Sequence, residues 1–262
     1  MSECLISERL GRVQSIRLNR PASMNAIDMD LRRALLAAFD AAGRDPGVSA
    51  VVLGGSGKAF CSGSDLKGAA ASTDSSLRRT ARTLTHDYQP ILETIMRLDK
   101  PVIAAVNGAA AGFGMSLVLA CDLVVMAQEA YLASPFINIG LIPDGGATWQ
   151  MVRRLGYVRA FEMLAEGQKL GAEQCCELGL ANRVVTADAL QQNALEWAER
   201  LASRAPLALG LTKRMARLAQ NCGMSDAMAM EAEMQTFLAS TEDAREAIAA
   251  FGEKRVPSFK GR

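Results

Sequence analysis

Histidine is almost missing from this chain: His86 is the only one in 262 residues. That scarcity makes a zinc centre improbable, and a serine–histidine triad would have to recruit His86. His86 precedes Asp87 at a polar helix start, where a surface residue is expected. The six cysteines (Cys4, Cys61, Cys121, Cys175, Cys176, Cys222) are scattered and form no C-x-x-C pair, which argues against zinc ribbons and dithiol redox chemistry. Reduced thiols in a cytoplasmic setting are the expectation. No apolar run approaches the ~20 residues of a membrane span, and the opening MSECLISERLGRV lacks the apolar core of a signal peptide. An excess of one charge is also missing. At a net charge of +1 there is no overall pull toward nucleic acid or an anionic membrane. The basic pairs Arg32-Arg33, Arg78-Arg79 and Arg153-Arg154 read as solvated helix faces. Neither a Walker loop nor a strand-borne G-x-G-x-x-G occurs, because GGSGKAF is too short and misspaced for either.

What is present reads as one large globular domain, or one domain with an appended segment: half of the residues are hydrophobic and 22% are charged. CLISERLGRVQSIRLNR predicts two strands joined at Gly11-Arg12, with Val13, Ser15 and Arg17 alternating with Gln14, Ile16 and Leu18. NAIDMDLRRALLAAFDAAGRD predicts a helix with Asp28 as N-cap, an apolar face at Leu31, Leu35, Leu36 and Phe39, and a stop at Gly43. SAVVLGGSG, PVIAAVNG and DLVVMA read as buried strands, with helices over Thr83–Leu98 and Gly112–Ala120 between them. Strands alternating with helices indicate an α/β architecture. Gly68–Thr80 is small and polar and is the best candidate for a mobile loop. After Trp149 helical periodicity dominates, strands nearly vanish apart from LANRVVT, and Met215, Met224, Met228, Met230 and Met234 read as core or interface filling.

Three stretches carry candidate chemistry. GKAFCSGSDL, after a strand, lets backbone N–H groups approach a ligand, or is a tight turn. PVIAAVNGAAAGFGMSLVLACD runs from a strand through a small-residue loop into a helix start near Gly112, where free N–H groups favour negative charge; close strand–helix packing is the other reading. FINIGLIPDGGATW places one carboxylate, Asp144, between a proline and two glycines after an apolar run. It is either a turn former or an active-site base.

Together with NRPASMNAID and INIGLIPDGGATWQMVRRLG, these stretches in this order and spacing resemble the crotonase (enoyl-CoA hydratase/isomerase) superfamily over nearly the whole chain. The resemblance implies a spiral of ββα turns followed by a helical trimerisation region. Residues 1–200 would form the core with the acyl-CoA site, and 201–262 the oligomerisation or lid region. The implied assembly is a homotrimer or a dimer of trimers. The implied substrate is an acyl-CoA thioester, with no metal and no cofactor beyond the CoA it carries. Its carbonyl oxygen would meet the backbone N–H groups of Ser64 and Phe113, where relatives often carry glycine at the latter position. Typical hydratases place glutamates at the positions of Ser116 and Phe136; syn-hydration needs such a pair, so ordinary hydratase activity is not expected.

Asp144 matches the acid/base of the isomerase branch, which includes phenylacetate-pathway ring-epoxide isomerases. Phe136, Ile137, Met115, Ser116 and the Gly68–Thr80 loop would shape the pocket. By the same analogy CoA would be held by Met24–Ala26 and Ser62–Leu66, the latter including Asp65, with Lys58 and a neighbouring subunit's Lys260 near its phosphates. Two other readings remain open at this point. Asp144 would be a nucleophile in an aryl-CoA dehalogenase, although the helix before KPV lacks the histidine such enzymes carry there. Alternatively, the chain binds CoA without catalysis.

Overall fold

The computed structural model describes residues 4–65 and 82–262. Leu66 and the Gly68–Thr80 loop lie outside the described residues. The amino-terminal hairpin is as expected: β1 (Leu5–Leu10) and β2 (Val13–Leu18) pair antiparallel around Gly11, whose φ is +59°. α1 (Met29–Arg44) starts where Asp28 accepts a hydrogen bond from Leu31 N at 2.8 Å, and it buries Leu31, Leu35 and Phe39. It ends one residue beyond Gly43.

β3 (Ala50–Gly55), β5 (Val102–Val106), β7 (Leu123–Ala127) and β10 (Arg183–Val185) join the hairpin in a six-stranded sheet ordered β1-β2-β3-β5-β7-β10. All its pairs are parallel except β1–β2. Residues buried on both faces explain why these strands read as continuous apolar runs. β4 (Ala59–Cys61), β6 (Ala109–Ala111), β8 (Tyr131–Ala133) and β9 (Lys169–Gly171) form a second sheet of three-residue strands.

That second sheet corrects the sequence reading, which took the segments of β4 and β6 as loop and missed β8 and β9. The reason is steric. A Cβ on Gly108 would lie 2.0 Å from the Lys58 carbonyl oxygen, so backbones approach where only small residues fit. Alanine and glycine carry almost no strand propensity, so the pairing is invisible locally.

Helices cover the sheets: α2 (Gln89–Arg97), entered through a π-helical turn at Thr83–Tyr88; α3 (Phe113–Ala120); α4 (Ala147–Leu155); α5 (Tyr157–Glu166); α6 (Ala172–Glu177); and α7 (Leu190–Ala202). The chain ends in α8 (Pro206–Leu218), α9 (Met224–Ala239) and α10 (Glu242–Glu253), the helical run that periodicity indicated. Among the described residues no helix is long and apolar enough to cross a membrane.

Two arginines read as solvated are not. Arg32 pairs with Asp87 at 3.0 Å with its side chain only 15% exposed, and half-buried Arg154 donates to the Leu119 carbonyl at 2.6 Å. His86 is exposed, as expected.

Candidate active site

β4 and β6 lie side by side and both run into glycine. After β4, Gly63 takes φ +99° and Ser64 forms an isolated parallel bridge with Ile27. Ile27 N–H donates to the Gly63 carbonyl at 2.8 Å and Asp65 N–H to the Ile27 carbonyl at 3.0 Å. Alternation along the strand then turns the Ser64 N–H away from Ile27. It has no acceptor among the described residues.

After β6, Gly112 takes φ +55° and ψ −125°, and α3 begins at Phe113. The first N–H groups of a helix have no partner within it. Met115 and Ser116 N–H groups fold back onto the Gly112 carbonyl at 3.0 and 3.3 Å, but Phe113 N–H has no acceptor among the described residues. The two loops touch: a Cβ on Gly63 would lie 3.6 Å from Phe113 N and 3.0 Å from the Ala111 carbonyl oxygen. Two unpaired N–H groups therefore sit on adjoining loops, beside a helix whose eight residues are all buried. Such a place suits a developing oxyanion.

The 3₁₀ turn Pro135–Ile139 ends at Gly140 in the left-handed region, and the chain then passes along α3 through Asp144. Gly145 and Gly146 have φ +58° and +71°, and a Cβ on Gly145 would meet Ser116 at 2.9 Å and the Phe113 ring at 3.0 Å. Only glycine allows this approach. The Asp144 carbonyl is pinned by Ser116 Oγ at 3.0 Å and by Ala147 N–H at 3.1 Å. Its carboxyl is half-buried, and Oδ1 is enclosed with no hydrogen-bond partner among the described residues. Burial pushes the Asp144 pKa up to about 6. The Phe136 ring, 9% exposed, lies against Gly112: a Cβ there would be 3.6 Å from its Cζ.

Of the residues singled out from the sequence, Ser64, Phe113, Ser116, Phe136 and Asp144 come together here. Met24, Ala26, Ser62 and Asp65 form an adjoining cluster. Ser62 N–H donates to the Met24 carbonyl at 3.0 Å, and Arg20 binds the Ala26 carbonyl and the carboxylates of Asp65 (3.2 Å) and Asp28 (3.0 Å). Lys58 is exposed on the turn before β4.

Met115 is 1% exposed, as are Phe113 and Ser116 on the same fully buried α3. Ile137 is 48% exposed, and its Cγ2 lies near Gly167 at the end of α5 (a Cβ there would be 3.1 Å away). Lys260, expected to act from a neighbouring subunit, has its N–H held by Asp243 of its own chain at 2.7 Å, at the start of α10.

The sequence reading missed Tyr88. It is 2% exposed, its hydroxyl is hydrogen-bonded to Ser64 Oγ, and its ring stacks on Phe113. Its spacing with Ile91, Leu92 and Ile95 (i, i+3, i+4, i+7) marks the buried face of α2 and was the available signal. A cavity of about 1070 Å³ lies elsewhere, lined by Met96, Trp149, Arg153, Arg154, Lys213 and Arg217 among others, and none of the site residues named above borders it.

The sequence profile described as "Enoyl-CoA hydratase/isomerase" matches residues 8–262. The chain belongs to this family. It is 36% identical to the 2,3-dehydroadipyl-CoA hydratase of Escherichia coli (strain K12), over 100% of both chains. It is 32% identical to the 1,2-epoxyphenylacetyl-CoA isomerase of the same strain, again over 100% of both. Among solved structures, an enoyl-CoA hydratase from Bacillus anthracis superposes with a TM-score of 0.94 at 31% identity, covering 99% of this chain and 100% of that one. The two stacked, largely parallel sheets with their helical carboxyl-terminal segment are thus the crotonase fold. The enoyl-CoA hydratase/isomerase family holds both reaction types among these relatives, so the family alone does not choose between them.

Proposed function

We propose that this member of the family is an acyl-CoA isomerase that moves a 3-enoyl-CoA double bond, or that of a ring-epoxide or oxepin-type thioester, with Asp144 as its single acid/base. The observation that carries this reading is the setting of Asp144: a carboxylate with one oxygen enclosed and unpartnered, on a loop pressed against the helix whose first N–H is free. For a 3-enoyl thioester the carboxylate takes a proton from C2. The electron pair moves into the thioester carbonyl, and the resulting dienolate oxygen is held by the N–H groups of Ser64 and Phe113. The carboxylic acid then returns the proton at C4, and the double bond ends between C2 and C3. No cofactor enters, because CoA is part of the substrate.

Ser116 and Phe136 stand where hydration would require carboxylates. Ser116 Oγ donates to the Asp144 carbonyl, and the apolar Phe136 ring lies against Gly112, where it offers no group to bind or activate water. With no second carboxylate to take a proton from water, crotonyl-CoA hydration is expected to run at least ~100-fold slower than 3-enoyl-CoA isomerisation, since a positioned acid–base group contributes 10²–10⁴-fold. Both rates are read from the thioester absorbance. Hydration equal to isomerisation defeats the proposal. If neither reaction occurs while the CoA esters still bind, the non-catalytic reading takes its place.

The base must be ionised to accept the C2 proton. With the Asp144 pKa at about 6, kcat/KM is expected to be flat above that value. Below it, kcat/KM should fall by roughly tenfold per pH unit. A profile with its acid limb near pH 4 would mean that the titrating base is an ordinary exposed carboxylate.

We also propose a homotrimer or dimer of trimers. α9 runs for 16 residues with none buried and exposes Met224, Met228 and Phe237, a face that a second copy would cover.

A further inference from the structure

The two N–H groups at the site belong to different segments. One follows β4 and the other follows β6, and each is preceded by a glycine with positive φ. Glycine permits the turn but does not hold it. A preorganised hole needs both donors fixed before the oxyanion forms. Because both donors are main-chain, the side chains at 64 and 113 are not needed for the donation itself. Both nevertheless make a specific contact, and with the same residue. Ser64 Oγ hydrogen-bonds the Tyr88 hydroxyl, and the Phe113 ring stacks on the Tyr88 ring with centroids 3.9 Å apart and planes 22° apart.

We propose that Tyr88 is the positioning residue of the oxyanion hole, bracing Ser64 with its hydroxyl and Phe113 with its ring. A tyrosine suits this because its planar ring fixes the hydroxyl relative to the stacked face, with only two side-chain torsions to order. Tyr88 is itself held. It lies at the last position of the π-helical turn that enters α2, and the Arg32 guanidinium sits 4.9 Å from its ring centroid while paired to Asp87 at 3.0 Å. π-Helical turns inside helices occur often at functional sites. Burial also raises the phenol's pKa, so the hydroxyl keeps its proton.

The inference rests on the reading of Ser64 and Phe113 as the carbonyl-binding pair. Its test is chosen so that it does not need the isomerase reading. Cinnamoyl-CoA, whose absorbance shifts to longer wavelength when its carbonyl is polarised, is titrated into wild type, Tyr88→Phe, Ser64→Ala and the double variant. kcat and KM for 3-enoyl-CoA are measured alongside, with melting temperatures as a fold control. Tyr88→Phe keeps the stack and removes only the hydroxyl. The expectation is a reduced wavelength shift and a kcat about tenfold lower, with KM changed less than about twofold. Ser64→Ala should give the same loss, and the double variant no further loss, because both remove one contact.

A wild-type wavelength shift in Tyr88→Phe, or full additivity in the double variant, overturns the brace. A wild-type protein that binds the probe without shifting it overturns the hole and the brace together. A wild-type protein that shifts the probe but does not isomerise 3-enoyl-CoA, with Tyr88→Phe and the double variant shifting it less as above, removes only the isomerase reading and leaves the brace supported.

Discussion

Asp144→Asn is expected to lower 3-enoyl-CoA isomerisation by about 10⁴-fold while raising the melting temperature of the protein. The loss sits at the upper end of what a positioned acid–base group supplies, because in the proposed reaction one group both removes and returns the proton. An asparagine can do neither, yet it keeps the size and the backbone bonds to Ser116 and Ala147.

The gain in stability follows from the raised pKa. In the folded chain the carboxyl holds its proton up to about 6, against 3.8 for the ordinary group. Between those two values the folded state binds more protons than the unfolded state, so stability falls as pH rises. Above about 6 the ionised Asp144 burdens the fold by a full amount of about 3 kcal/mol, which partial exposure reduces to roughly 1–2 kcal/mol. Replacing the charge with an amide removes that burden. For a chain of this size the melting temperature should rise by a few degrees at neutral pH, with little gain near pH 4. Thermal melts at both pH values, beside the isomerase assay, check the pair of effects. An Asn variant that retains a tenth of the activity, or that melts lower at pH 7, refutes this account of the residue.

Gly114→Ala is expected to damage both activity and stability from a position that presents no functional group. Its added Cβ would lie 2.3 Å from the Cys61 carbonyl oxygen and 2.8 Å from Cys61 Cβ, both in the buried interior. Neither neighbour is a flexible side-chain end, so the start of α3 must move away from β4. Overpacking of this kind costs typically 1–3 kcal/mol. The same shift carries Phe113 N–H away from Ser64 N–H. A displacement near 1 Å at such a site lowers the rate by about 100-fold. Gly171→Ala is the matched control: nothing lies within 4 Å of its added Cβ and its φ is not positive, so it should stay near wild type in melting and in rate. A Gly114→Ala protein with wild-type kcat would show that the β4–α3 contact does not set the geometry of the donors.

Much of the fold was legible in the sequence because the central strands of the larger sheet are buried apolar runs and α1 carries a clear cap and apolar face. Asp28 at the head of α1 and the apolar runs of β3, β5 and β7 act over a few residues and leave local marks. The second sheet was not legible. Its strands are three residues long, β6 is all alanine, and just before it Gly108 approaches the Lys58 carbonyl too closely for any side chain. Periodicity cannot register in three residues. Arg32 was misread for a related reason: a basic pair on a helix looks solvated until Asp87 and Tyr88, from another element, cover it.

By itself the sequence determined the family, the identity of the one carboxylate in the PDGG turn, and the serine and phenylalanine at 116 and 136. Those are matters of which residue stands where in an ordered set of motifs. Only the tertiary structure decided which N–H groups are left unpaired, that Asp144 Oδ1 is enclosed, that Met115 is buried while Ile137 is exposed, and that one tyrosine touches two loops. Burial and hydrogen-bond partnership are set by segments far apart in the chain, and the desolvation that raises the Asp144 pKa exists only once those segments meet.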